Sequence, residues 1–389
     1  MLLGVFYDAL ELQRRQKIII ARFLKPHKVI STCRAAGGLR DDLSCVYNHQ
    51  ACEPTGHHRG MPVSAWSDPI EYRRLIAEQH HLEAKACATL GTAANMNNAA
   101  VCEQSFREQT VVAVATGGVE TNAGRIGDPA FMYEHDGQHQ KLNQSAAPEQ
   151  GTINTMLFIN KELTPGAMVR TIMTATEAKT AVLQELAVNS RYSNGLATGT
   201  GTDQIAVSCM QDTGTPLTGA GKHSKLGELI GRAVYGAIKK TLAVQNELTP
   251  AGQGSARIHL ERFGAGREEF LAKICSHLNG DQAKLLKDNY DCINRDPMTV
   301  AAVAALVHLR DKLTWGVLPA ECQPEIMASY AAQVAAAVSG KYELINEYRE
   351  ILAPTQDPAG DQEFLDLVCR AFAQGFAGKW DFTPCSEEG

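Results

Sequence analysis

No stretch of this 389-residue chain holds the roughly 18 consecutive apolar residues that a bilayer-spanning helix needs. Long runs of Lys or Arg are also missing, and the net charge is −6. Binding to nucleic acid depends on neutralising phosphates, so neither a membrane nor a nucleic acid is an expected partner. Asp8, Glu11, Arg14, Arg15 and Lys17 interrupt the first twenty residues, which lack the apolar centre and small-residue cleavage site of a secretory leader. The expected location is the cytoplasm. Eleven cysteines run from Cys33 to Cys385 with no CxxC pair, which suits reduced, mostly buried thiols. There is no HExxH. His57-His58 and His80-His81 are adjacent pairs, and His49 with Cys52 and Glu53 makes a poor ligand set. No metal and no other cofactor is expected.

What is present is an ordinary globular composition, 44% hydrophobic and 21% charged, long enough for one large domain or two smaller ones. Lys17–Leu24 reads as a strand, Lys25–Lys28 as a turn and Val29–Thr32 as the returning strand. Gly37-Gly38 opens a loop-rich stretch to about Pro69, and Ile70–Leu90 has helical spacing. Thr110–Val114, Ile153–Ile159 and Gln204–Met210 are strand patterns, and Asn194-Gly195 marks a turn. Thr164-Pro165 opens a helix through Leu186, with proline where its missing N–H costs nothing, and Ser224 to about Leu248 is an amphipathic helix. Beyond Pro250 the patterning is helical, over Arg267–Leu278, Met298–Leu313, Glu325–Val338 and Gln362–Phe376, with a frayed tail at Thr383–Gly389. The expected fold class is α/β or α+β: a mixed sheet with flanking helices, then a mainly helical C-terminal region. The domains are drawn at 1–249 and 250–389, the second a helical subdomain or a dimerisation element. A homo-oligomer is a possible assembly.

The strongest chemical signal is Ala197-Thr-Gly-Thr-Gly-Thr-Asp203, which leads straight into a strand. Alternating glycine and threonine lets backbone N–H groups approach a ligand and offers hydroxyls from Thr198, Thr200 and Thr202. A backbone turn with no ligand is the plainer alternative. The stretch is not GxGxxG. Nearby, Gly219-Ala-Gly-Lys222-His223-Ser224 mimics the end of a phosphate-binding loop, but Pro216 stands where the first glycine belongs and His223 replaces the magnesium-binding hydroxyl. His223 is then a candidate proton carrier near neutral pH, or equally a surface or capping histidine. On the helix from Pro165, Lys179 falls within the stripe of Met168, Ile172, Ala175, Val182 and Leu186, while Glu177 points almost the opposite way. A lysine in an apolar stripe must snorkel, pair with a carboxylate or lose its proton. Asn122 and Asn154 lie in turns, where asparagine is common for local reasons, yet carboxamides also suit an amide-rich ligand.

Four blocks taken together resemble the adenosylcobinamide amidohydrolases: Gly151-Thr-Ile-Asn154, Thr174–Thr180, Ala197–Asp203 and Gly221–Gly231. Gly91–Ala100 and Thr116–Pro129 resemble a longer form of that family, and the likeness is best over Gly91–Leu248. The resemblance implies a corrinoid substrate and hydrolysis of the amide joining aminopropanol to the corrin ring, giving adenosylcobyric acid and 1-amino-2-propanol in cobalamin salvage. Amide hydrolysis needs a nucleophile, donors for the developing oxyanion and a proton for the leaving amine. On that basis His223 is the expected base and acid, oriented by Asp203 or Glu177. Thr198, Thr200 and Thr202 with Lys222 would contact substrate or oxyanion, Asn122 and Asn154 would hold peripheral amides, and Lys179 would support Glu177 or bind a carboxylate product. The alternative from another class is a corrinoid-binding protein without hydrolysis.

Overall fold

The computed structural model describes residues 1–51, 68–142, 151–353 and 360–379. The chain divides into two compact units, Met1–Thr249 and Pro250–Gly389. In chain order the first unit has β1 (Leu2–Phe6), β2 (Leu10–Arg15), β3 (Ile18–Phe23), β4 (His27–Ser31), β5 (Gly38–Arg40), β6 (Cys45–Gln50), α1 (Pro69–Gln79) and β7 (Cys87–Thr92). It continues with β8 (Ala100–Phe106), β9 (Gln109–Gly117), β10 (Ala123–Gly124), β11 (Met132–His135), β12 (Gln138–Lys141) and β13 (Ile153–Ile159). Helix α2 (Pro165–Glu185), β14 (Gly199–Thr200), β15 (Gln204–Met210) and α3 (Lys225–Asn246) complete it.

Two sheets carry the core, one ordered β1-β2-β3-β6-β7 and the other β5-β4-β15-β13-β9-β8. Strand alternation explains how they stack, because successive side chains point to opposite faces. Val112, Val114, Met156 and Phe158 join Leu10, Leu12, Ile19 and Val46 in one buried layer between the sheets. Their neighbours Val111, Ala113, Leu157 and Ile159 face the other way and pack with Val182 of α2 and Ala233 and Ala237 of α3. On the far side of the first sheet, Ile18, Ile20 and Tyr47 cluster with Ile76 of α1. The layers therefore run helix, sheet, sheet, helices. This is a mixed α/β architecture with a helical C-terminal region.

Local signals account for the helix ends. Thr164 accepts a hydrogen bond from the Ala167 N–H at 3.3 Å with Pro165 in the first turn, and Ser224 accepts one from Gly227 N at 3.1 Å. The second unit holds α4 (Pro250–Gln253), α5 (Ala256–Leu260), α6 (Arg267–Cys275), α7 (Gly280–Asn294), α8 (Pro297–Thr314), α9 (Gln323–Ser339), α10 (Ile345–Ile351) and α11 (Asp361–Lys379). Phe263, Phe270, Phe364, Phe372 and Phe376 fill its core. A side chain at Gly375 would meet the Ala335 carbonyl at 2.4 Å, so glycine is what lets α11 lie against α9. No helix among the described residues is long and apolar enough to cross a membrane.

Several expectations change. Val29–Thr32 is not the hairpin partner of β3: β3 pairs with β2 and β6, and β4 sits in the other sheet between β15 and β5. The stretch read as loop contains β5 and the fully buried β6, whose Asn48, His49 and Gln50 hide a strand behind polar letters. The helix expected to reach Leu90 stops at Gln79, followed by His81 at φ 55° and then β7, which pairs in parallel with β6. Strands β1 and β2 and helices α7 and α10 were not anticipated from pattern. The tail 383–389 lies outside the described residues.

Two buried histidines set an acid limit on the first unit. His27 has no exposed surface, stacks on Phe23 at 4.3 Å between centroids, and is pushed down to about 4 by burial. His49 is pushed down to about 3 by burial and by the nearby His80 and Lys17. Both folded values lie below the unfolded value near 6.5, so below that pH the unfolded chain binds more protons. Stability is then whole above pH ~6.5 and falls as pH drops toward 4, by up to ~1.4 kcal/mol per pH unit per histidine. Hydrogen-exchange protection of β4 and β6, followed from pH 7.5 to 5, should fall accordingly. His27→Gln should lower protection at pH 7.5 but make it less pH-dependent; an unchanged slope would remove His27 from this account.

Candidate active site

The site takes shape where β13 and β15 begin side by side, with Asn154 in register with Gln204, and where β9 ends with Gly117 opposite Ile153. Just before β15 the chain doubles back: β14 pairs antiparallel with β10, Ala123 opposite Thr200 and Gly124 opposite Gly199. The threonine–glycine stretch is thus half hairpin, half exposed turn. Gly201 and Thr202 form the exposed tip.

Asp203 organises this corner. Its Oδ1 accepts from the Ile153 N–H at 2.9 Å and the Thr200 hydroxyl at 2.6 Å, and its Oδ2 accepts from the Thr200 N–H at 3.1 Å and from Lys179 Nζ. A carboxylate has about four acceptor positions, so Asp203 is filled. Lys179 and Asp203 are 15% and 16% exposed, so the lysine in the apolar stripe of α2 meets a carboxylate rather than solvent. Further along α2, the Thr180 hydroxyl donates to the Thr198 carbonyl at 3.2 Å and Gln184 Nε2 to the Ala197 carbonyl at 3.0 Å. The helix therefore holds the entering strand by its carbonyls. Gly199 is required: a Cβ there would lie 2.4 Å from Asp203 Oδ2 and 2.7 Å from Lys179 Nζ.

Behind the turn, the asparagines are committed to partners inside the protein. Asn122 Nδ2 donates to the Gly151 carbonyl at 2.7 Å, and its Oδ1 accepts from the Tyr192 hydroxyl at 2.6 Å. Thr202 Oγ1 donates to the same Gly151 carbonyl at 2.8 Å, and Thr152 Oγ1 donates to the Thr202 carbonyl at 2.7 Å. Asn154 has no exposed surface; its Nδ2 donates to Asn48 Oδ1 at 2.9 Å and to the Gly91 carbonyl at 2.8 Å. Asn48 Nδ2 passes on to Thr116 Oγ1 at 2.8 Å. Both asparagines brace the corner from within, whereas direct contact with a ligand's amides was expected. Thr198 is likewise occupied, accepting from Ile126 N at 2.9 Å.

Next to this corner, Asp128 Oδ2 accepts from the Arg125 N–H at 2.7 Å and the Ser190 hydroxyl at 2.6 Å. Partial burial pulls its pKa up, but hydrogen bonds from Ser190, Ser193 and Arg125 outweigh that and hold the carboxyl below the usual range. Tyr192, whose ring meets Phe131 edge-on at 4.9 Å, connects this clamp to Asn122.

The remaining candidates lie elsewhere. Glu177 pairs with Lys222 at 3.0 Å, both more than half exposed. They line a cleft of about 390 Å³ with Thr174, Ala178 and Tyr235, between α2 and α3. His223 is exposed, and Ser224 rather than His223 caps α3. No described residue joins His223 to Asp203 or Glu177, so the expected orientation of the imidazole by either acid is not seen. Nor does Lys179 support Glu177; it is held by Asp203. Structure thus brings Lys179, Thr200, Asp203 and, through Gly151, Asn122 and Thr202 into one network, and leaves Glu177, Lys222 and His223 outside it. Among the described residues no group of three or more His, Cys, Asp or Glu converges as metal ligands. His80 packs near His49, with ring centroids 6.3 Å apart, while Cys52, Glu53, His57 and His58 lie outside the described residues.

Pattern reading missed Tyr192, Asn48 and Thr152. Thr152 stands in a block already singled out, and Tyr192 precedes the Asn194-Gly195 turn. Asn48 had no local signal, because its partner is 106 residues away.

A family model described as adenosylcobinamide amidohydrolase matches residues 4–250. An uncharacterized protein of Methanocaldococcus jannaschii is 35% identical over 241 residues, which cover 60% of this chain and 88% of the relative.

The Asp203 corner yields a stability test. Asp203→Asn keeps the shape but strands the Lys179 charge, and should cost about 2–4 kcal/mol. Lys179→Met leaves the carboxylate its other three donors and should cost less, about 1–2 kcal/mol. Urea-unfolding midpoints measure both. Equal and small losses would mean the pair is merely a surface contact.

Proposed function

The chain belongs to the adenosylcobinamide amidohydrolase family, and from that premise we propose that it hydrolyses the amide joining aminopropanol to the corrin ring of adenosylcobinamide. The products are adenosylcobyric acid and 1-amino-2-propanol, so a salvaged corrinoid re-enters cobalamin synthesis. The reading needs no cofactor, and its setting is the cytoplasm. The chemistry belongs to the first unit, on which the family match falls.

One observation supports this placement of the reaction: Lys179 and Thr200 converge on Asp203 beside the exposed Gly201–Thr202 turn. In this reading the scissile amide lies over the turn. Asp203, its acceptor positions filled, does not take a proton from water without losing a partner; it is a positioning residue. It fixes the Thr200 hydroxyl as donor; the oxygen already accepts from the Thr202 N–H at 3.4 Å, so one lone pair is left to face the substrate carbonyl or to orient the attacking water. The Gly201 N–H at the exposed tip and the Lys179 ammonium supply positive charge for the developing oxyanion, the kind of preorganised donor that contributes most to acyl-transfer catalysis. Asn122, Asn154 and Tyr192 keep the turn in place. As the C–O bond forms the attacking water gives up one proton, and as the C–N bond breaks the departing amine takes one, both exchanged with solvent at the exposed turn, so that Lys222, Glu177 and His223 take no part in bond breaking.

The deciding experiment incubates the protein with adenosylcobinamide and follows cobyric acid and aminopropanol by mass spectrometry. Release of both is expected. Thr200→Ala and Asp203→Asn should each lower kcat by about a hundredfold or more, while His223→Ala should stay within about threefold of wild type, as expected for an exposed side chain outside the network. Full loss in His223→Ala with activity retained in Asp203→Asn would move the reaction to the other side of α2. Tight binding with no product at high protein concentration would favour a corrinoid-binding protein instead.

A further inference from the structure

Outside the corner just described, the first sheet holds two thiols that no part of the proposed reaction uses. Cys45 opens β6 and Cys87 opens β7, and the two residues are in-register partners of a parallel pair. Their Sγ atoms are 2.8 Å apart, and both residues are buried, at 3% and 1% exposure. Their side chains share the sheet face covered by Ile76 of α1, with Ile18, Ile20 and Tyr47 around them. Neighbouring strands run about 4.7–4.9 Å apart, which falls inside the roughly 4.4–6.8 Å Cα separation that disulfides use. Little backbone movement is therefore needed to join the pair. Among the described residues no other two thiols are so placed: Cys33 faces the inter-sheet layer and accepts from the Thr89 N–H, and Cys292 and Cys322 are exposed.

We infer that Cys45 and Cys87 form an intramolecular disulfide under two-electron oxidation, stapling β6 to β7. Both S–H bonds break, the Sγ–Sγ bond forms, and the oxidant takes up two protons and two electrons. With diamide, the azo N=N bond is reduced to the hydrazine and carries both hydrogens. The hydrogen bond to Cys45 and burial raise the Cys87 thiol well above its ordinary pKa. The thiolate is the reactive form, so oxidation at neutral pH is slow and proceeds through transient opening beneath α1. Once made, the bond closes a loop of about 40 residues and resists reduction for the same reason of access.

Position gives the staple its consequence. The same two strands carry Asn48 and Gly91 in their second halves, which hold Asn154 from the opposite sheet at 2.9 and 2.8 Å. Joining the strands at their start fixes the register that delivers these two groups further along. Oxidation should therefore stiffen the support behind the Asp203 corner while leaving that corner's own residues untouched.

The test uses the full chain with diamide, acid quenching, alkylation, digestion and mass spectrometry. A linked Cys45–Cys87 peptide is expected, separating on treatment with dithiothreitol, and the oxidised protein should melt roughly 5–10 °C higher. Cys45→Ala should give neither the link nor the rise, with Cys292 and Cys322 reacting as in wild type. Should that variant fold poorly, peptide mapping of the wild type decides alone. Recovery of both Cys45 and Cys87 as free thiols after Cys292 and Cys322 are fully oxidised would overturn the inference. A link formed without a rise in melting temperature would overturn the staple.

Discussion

One carboxylate with four donors ties together three stretches of chain that are distant in sequence. Asp203 receives Lys179 from α2, the backbone N–H of Ile153 from the start of β13, and both the backbone and the hydroxyl of Thr200 from its own loop. Each donor alone would be replaceable by water. Together they satisfy a partly buried charge whose loss of hydration must be repaid by close, well-directed partners. That requirement dictates its surroundings. Gly199 has no room for a side chain, Lys179 must sit in an otherwise apolar stripe, and Thr200 must present its hydroxyl inward.

The layers beneath make such an arrangement affordable. Apolar alternation in β9 and β13 buries one face against the first sheet and the other against α2 and α3. At the edge of the inter-sheet layer, the apolar pattern gives way to Asn48, Thr116 and Asn154, all buried and bonded to one another. Buried carboxamides are costly when unpaired, so this network admits one register between the sheets. The corner is positioned from both directions: by α2 through Lys179, Thr180 and Gln184, and by the first sheet through Asn48 and Gly91.

Much of this was legible in the sequence where the forces are local. Ile153–Ile159 and Gln204–Met210 are strands to the residue, because short β-branched and apolar runs bounded by polar turns have few other solutions. The starts of α2 and α3 follow from Thr164-Pro165 and Ser224. The failures come from long range. β6 carries Asn48, His49 and Gln50, whose burial makes sense only with Thr116, Tyr72 and Met96 in place. Nothing in residues 27–32 says that β4 pairs with a strand almost two hundred residues later. For the site, residue types in the threonine–glycine stretch were readable; which of them face inward was not. Asn154 is invisible as a brace until the opposite sheet is known.

The two sides of α2 show why neighbouring residues in one block need not share one task. Glu177 and Lys179 are two positions apart, about 200° around the helix. Lys179 turns toward Asp203 and the hairpin; Glu177 turns toward Lys222 and the cleft beside α3. A helix that must hold the hairpin on one side and α3 on the other has to carry different chemistry on each. Proximity in sequence between Lys222 and the threonine–glycine stretch suggested a single pocket, yet β15 and its following turn lie between them and carry the chain along the whole sheet. A seven-residue strand spans roughly 23 Å at about 3.3 Å per residue. After β15 the chain turns back along α2, where the Ala220 carbonyl accepts from the Thr174 hydroxyl and Lys222 meets Glu177, so Lys222 returns to the level of Lys179 but on the opposite side of the helix. The Asp203 corner therefore gathers hydroxyl, ammonium and backbone N–H groups, and the imidazole stands outside that network.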